Sequence, residues 1–164
     1  MTTETQRFLG EIRDIRVELD RILNGMDFCL DWKSANDEWS AREILYHMAE
    51  TPAGGIHSAV QQVLAGTIRE LSMRSSATNM TPQRQRNDLA AIRGDAEAVL
   101  SGMELLLGAA TDDELAQRTV LAHSMRANAV VAWRAEELIE RLLLNHWKEH
   151  LRQLAAVRDA LGIE

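Results

Sequence analysis

His146 and His150, spelled His-Trp-Lys-Glu-His near the end of a chain with only five histidines, can do chemistry as a pair. On a helix, a separation of four sets the two imidazoles roughly 40° apart around the axis and about 6 Å along it, close enough to hold one metal ion. The surrounding tract 135–161 is helical by period, with apolar residues at Leu138, Ile139, Leu142, Leu143, Leu154, Val157 and Leu161. Continued, that stripe passes through positions 146, 150 and 153. Two histidines and Gln153 therefore stand where the pattern asks for leucine, and a polar group in a core needs a partner. A third histidine, His47, lies on the apolar stripe of an earlier helix between Ile44 and Met48. Three imidazoles, two from one helix and one from another, form a facial set that suits zinc, nickel or iron(II). Such a set leaves coordination positions open for water or substrate.

The elements that must position these residues are helices. Tract 5–23 puts Phe8, Ile12, Ile15, Leu19 and Ile22 on one stripe and stops at Asn24-Gly25. A connector holding Trp32 and Trp39 leads to Ser40-Ala41-Arg42-Glu43, a capping box that should open the second helix. That helix runs toward Gly66, with a kink or short break expected after His47 because Thr51-Pro52 and Gly54-Gly55 interrupt it. Segment 72–81 is polar and irregular. Thr81-Pro82 then reads as a cap with proline at the first helical position, opening a third helix with the stripe Leu89, Ile92, Ala96, Val99, Met103 and Leu106 and an end at Gly108. Thr111 to Glu114 is a second capping box, for a short turn around Leu115. Residues 118–131 are the least readable, since Thr119-Val120-Leu121 suits a short strand as well as a loop. A fourth helix closes the chain. These patterns predict an all-α four-helix bundle, the kind of fold in which facing helices build a metal or ligand site.

Bulk properties narrow the partners. The 164 residues fit one domain spanning 1–164. With 25 acidic against 18 basic residues the formal net charge is -7, and the arginines are scattered among carboxylates, which argues against nucleic acid as a partner. Cys29 is the only cysteine and cannot form an internal bridge, and no apolar run is long enough to span a membrane. A cytoplasmic protein with no membrane partner is expected. A homodimer would use apolar surface such as Leu45, Leu107 and Val130.

Metal-bound imidazoles commonly donate their second nitrogen to a carboxylate or carbonyl. Glu43, one turn before His47, and Glu149, beside His150, are candidates, though for each a solvated surface role is the first expectation. Gln153 could face the metal or a substrate. Tyr46 could bring a phenol to a pocket rim or pack in the core. Trp39, Trp133 and Trp147 are assigned to packing or pocket walls. His57 and His123 are expected at the surface, with His123 able to approach the site if its linker folds over the bundle mouth. Cys29 has no basic neighbour except Lys33, so nothing marks it as a nucleophile.

The stretch Trp39-Ser40-Ala41-Arg42-Glu43-Ile44-Leu45-Tyr46-His47, a tryptophan-serine helix start with a histidine eight residues after the tryptophan, resembles the DinB-like superfamily. His146-Trp147-Lys148-Glu149-His150-Leu151-Arg152-Gln153-Leu154 is similar to that family's second signature. The resemblance implies a four-helix bundle with a long crossover between helices two and three, and a three-histidine metal site formed by His47, His146 and His150. It also implies a metal-dependent enzyme of the S-transferase type, adding a low-molecular-weight thiol to an electrophilic small molecule. A metal-dependent hydrolase and a non-catalytic metal- or ligand-binding bundle are the alternatives. His146 to His150 also matches the inverted zincin pattern H-x-x-E-H, but such a site needs a further ligand well downstream and only 14 residues follow. A di-iron site is disfavoured because no Glu-x-x-His occurs.

Overall fold

The computed structural model describes residues 3–74, 76–124 and 128–163. The first bundle helix, α1 (Thr3–Leu23), buries Phe8, Ile12, Ile15, Leu19 and Ile22, the stripe its spacing requires. Its first turn is held from outside: Asp112 accepts from the Thr5 amide at 3.2 Å and the Thr5 hydroxyl at 3.0 Å. That carboxylate satisfies amides that no intrahelical carbonyl can reach.

The second bundle helix comes in two pieces, α2 (Ala41–Ala49) and α3 (Ile56–Ala65). The capping box at Ser40 forms as expected, with the Glu43 amide on the Ser40 hydroxyl and the Ser40 amide on the Glu43 carboxylate at 2.8 Å. The break after His47 also forms, where Gly54 and Gly55 take φ of 82° and 83°, a region closed to most L side chains. The crossover that follows contains β1 (Glu70–Met73) and a short helix α4 (Pro82–Arg86) before the third bundle helix α5 (Leu89–Ala109). The expected continuous helix from Pro82 is therefore divided. Asn87 and Asp88 are extended, Arg42 takes the Asn87 carbonyl, and Asp88 caps a new helix by accepting from the Ala91 amide at 2.8 Å.

After α6 (Asp112–Gln117), opened by the Thr111–Glu114 capping box, come β2 (Thr119–Ser124) and β3 (Ala129–Arg134). These two strands pair antiparallel, and β1 pairs parallel to β2, giving the order β1-β2-β3. The fold is thus a four-helix bundle with a small mixed sheet, which corrects the all-α expectation. The alternation in β2, with Val120 and Ala122 buried and Thr119 and Leu121 exposed, is the half-buried strand pattern. Part of the unreadable tract, residues 125–127, lies outside the described residues.

The last rod has three parts: α7 (Ala135–Ile139), a π-helical turn at Glu140–Asn145, and α8 (His146–Ala160). α1 and α2 each pack against both α5 and α8, so the first two bundle helices occupy opposite corners. Arg16 links α1 to α5 through Glu97 at 2.9 Å and Glu104 at 2.8 Å. Leu45 and Leu107, offered above as dimer surface, are each 1% exposed and belong to the core, whereas Val130 is exposed. Leu106 is only partly buried; the α5 stripe ends on Leu107. Among the described residues no helix is long and apolar enough to cross a membrane.

Candidate metal centre

The π turn decides where the C-terminal histidines sit. In an α-helix the His146 amide would bond the Leu142 carbonyl; here it bonds Arg141 and Leu143 instead. The wider turn inserts one residue relative to an α-helix. Leu142, Leu143 and Leu144 are consequently all buried, and the core stripe resumes one position later, at Trp147, Leu151 and Leu154. His146, His150 and Gln153 do not replace leucines in the middle of that stripe, as a straight helix would require. They flank it and are half-buried, at the margin where an opening can exist.

His47 comes from α2, 1% exposed, and meets them. The three rings pack edge to face with centroids 4.6 to 4.8 Å apart. One ligand nitrogen from each of the three lies within 4.8 Å of the others. His47 Nε2 and His146 Nε2 are 2.9 Å apart. Metal–nitrogen bonds of about 2.0–2.1 Å separate two ligand atoms by about 2.9–3.4 Å for right-angle to tetrahedral geometry, so small ring movements would admit an ion.

The outer nitrogens are held. His47 Nδ1 lies 2.7 Å from the Ala77 carbonyl, and His150 Nδ1 lies 2.8 Å from Gln153 Oε1. A carbonyl oxygen only accepts, so both Nδ1 atoms carry the proton and both Nε2 atoms present a lone pair; that of His47 accepts from His146 Nε2 while no ion is bound. The Thr51 hydroxyl shares His47 Nδ1 at 3.3 Å. His146 differs. Its Nδ1 is buried with no partner in hydrogen-bonding geometry. To present Nε2 to an ion, His146 must shift its proton from the bond to His47 onto Nδ1. Burial, then the neighbouring His150 and His47, push the His146 pKa down to about 3. Burial lowers His47 as well. Both rings therefore stay neutral, the form a metal requires.

A cleft of about 260 Å³ opens beside the cluster, lined by Asp37, Glu38, Trp39, His150 and Gln153. The Trp39 indole is 4.8 Å from the His47 ring and stacks on His150 at 6.1 Å, which makes it a wall of the site. Three other residues with two roles open take the one away from the metal. Glu43 serves its helix cap and Lys33 at 2.8 Å rather than His47. Glu149 is exposed. Tyr46 is 1% exposed and directs its hydroxyl to Asn87 at 2.6 Å and Asp95 at 3.1 Å, not to a pocket rim. His57 is half-buried rather than fully at the surface, packed so closely on α5 that a Cβ added at Gly102 would meet its ring at 2.7 Å. His123 is half-buried and reaches Glu70 at 3.3 Å rather than the cluster. Cys29 is buried with its thiol pKa raised, chiefly by burial, as an inert residue should be. Sequence reasoning missed Ala77 and Thr51, which carry no residue type that announces a metal site; Asp37 and Glu38 offered only an acidic loop.

With this geometry in place, solved structures provide a comparison. YfiT from Bacillus subtilis, described as a probable metal-dependent hydrolase with an unusual four-helix bundle topology, superposes with a TM-score of 0.70 at 14% identity, over 100% of this chain and 91% of its own. The chain has that four-helix bundle fold. An uncharacterised protein from Clostridium difficile 630 shares it with a TM-score of 0.65 at 8% identity, over 97% of this chain and 98% of that one. No family model and no curated protein matches the sequence. At these identities the likeness is one of fold, and the bundle here supplies the two helices from which the three histidines converge.

Proposed function

We propose that the chain is a metal-dependent enzyme in which His47, His146 and His150 hold a divalent ion and the cleft beside Trp39 receives an electrophilic small molecule. The convergence of three imidazoles, two with Nδ1 already committed to carbonyl oxygens, is the observation that carries this reading. A divalent ion there would supply Lewis acidity, lowering the pKa of a bound thiol or water. The protein's own part is to orient Nε2 of His47 and His150, keep His146 neutral, and wall the cleft with Trp39.

The nucleophile we favour is an external low-molecular-weight thiol, which makes the reaction an S-transfer. A thiol loses its proton on coordination without a base. Among the described residues no carboxylate is bonded to any of the three histidines, so the site is built without an obvious base at the metal. Hydrolysis is the second reading: Asp37 and Glu38 line the same cleft and could accept a proton from water, and the similar fold of YfiT belongs to a probable hydrolase.

Elemental analysis of protein purified without a histidine tag tests the first step, with a stoichiometric divalent ion expected and its loss expected in His146→Ala. Turnover of model electrophiles with and without added thiols separates the two reactions. A folded wild type that takes up no zinc, nickel or iron would sink both.

A further inference from the structure

We propose that Arg84, in the crossover, is a positioning residue that sets the tautomer and direction of His47; its consequence for the ion rests on the metal-centre reading above. The contact that fixes His47 is a peptide carbonyl, Ala77, in a stretch with no helix or strand of its own. Something must hold that carbonyl in place. Two residues later Asn79 adopts φ 57°, the left-handed conformation that asparagine tolerates best among residues with a side chain. Its amide donates to the Tyr46 carbonyl at 3.4 Å, tying the crossover to the residue just before His47.

Arg84 completes the clamp. Nη1 donates to the Asn79 carbonyl at 2.6 Å, Nη2 pairs with Glu50 at 2.7 Å, and the guanidinium lies over the Tyr46 ring, 5.1 Å from its centroid. Tyr46 precedes His47 and Glu50 caps the C-terminal end of the same helix, so one side chain grips α2 on both sides of the ligand and the crossover as well. The Arg84 main chain is itself fixed, because Arg42, 6% exposed, donates to its carbonyl at 3.0 Å while also pairing with Asp31. Only a planar fork can serve a carbonyl, a carboxylate and an aromatic face at once; a lysine ammonium cannot.

The test compares Arg84→Gln, Arg84→Lys and Arg93→Gln with the wild type. Arg93→Gln removes an ion pair of similar length, to Asp20 at 2.9 Å, on the outside of the bundle. Nitrogen-15 NMR of metal-free protein reads the His47 tautomer, and zinc titration reads affinity. Arg84→Gln should lose the defined Nδ1-protonated state of His47 and bind zinc about 10–100-fold more weakly, the usual cost of disturbing a ligand's outer partner. Arg84→Lys should recover part of both, and Arg93→Gln should change neither. Unchanged His47 signals and affinity in Arg84→Gln, or an equal loss in Arg93→Gln, overturn the proposal. Should Arg84→Gln fail to fold, Glu50→Gln removes one arm of the clamp and should shift the same readouts in the same direction. If the wild type binds no zinc, the metal reading fails and the tautomer alone decides the role of Arg84.

Discussion

At the scale of residues, burial makes protonation costly at two rings of the cluster, His47 and His146. His146 has its pKa lowered to about 3 by burial and by the two neighbouring rings, against about 6.5 for the free side chain. The folded protein thus binds fewer protons than the unfolded chain between those values. The stabilising contribution is complete above pH about 6.5 and is lost as pH falls toward 3. Metal-free protein should lose resistance to urea steadily across that window, and His146→Gln should flatten the decline. An equally steep decline in the variant would show that other groups cause it. The three histidines were legible because of their type and, for His146 and His150, a separation of four on one helix, while their place beside the stripe rather than on it was not. Their supporting atoms were not, since Ala77 contributes a main-chain oxygen and Gln153 an amide that sequence alone could not aim.

At the scale of elements, local signals were read correctly where the physics is local. The boxes at Ser40 and Thr111 need only four consecutive residues, and both formed. The sheet was not legible as a sheet, because β1 and β2 meet across about 50 residues of chain and each is short. The π turn escaped for another reason: its mark is three consecutive buried leucines, which resembles a rich core helix. Deleting Leu144 should restore α-helical bonding and rotate α8 by about 100° relative to α7. That change would carry His146 and His150 away from His47, abolishing metal uptake in a chain that is still helical by circular dichroism. Retained uptake would mean that the turn is incidental. His57 gives a further test. Gly102→Ala gains about 1 kcal/mol of helix propensity, but the new methyl meets the His57 ring at 2.7 Å. Overpacking of this kind costs about 1–3 kcal/mol, so net destabilisation is expected in thermal unfolding. Combining it with His57→Ala should recover the helix gain, and no such rescue would place the cost elsewhere.

At the scale of the whole molecule, the site joins parts of the chain that are remote in sequence: His47 and His146 are 99 positions apart. An ion bound there stabilises only the folded bundle. At a free concentration about 100-fold above its Kd it should add about 2.7 kcal/mol, or about 5–10 °C in Tm for a domain of this size. A chelator should reverse the shift, and His47→Ala, His146→Ala and His150→Ala should each abolish it. A wild type whose Tm ignores zinc, nickel and iron would contradict the metal centre. The carbonyl of Ala77 has a consequence for how such sites diverge over time. Because the contact is made by the main chain, almost any small residue at position 77 could supply it, while position 153 must keep a side-chain acceptor. Two proteins could therefore share this support for the same histidine with no residue in common there, and identity between their sequences would not reveal it.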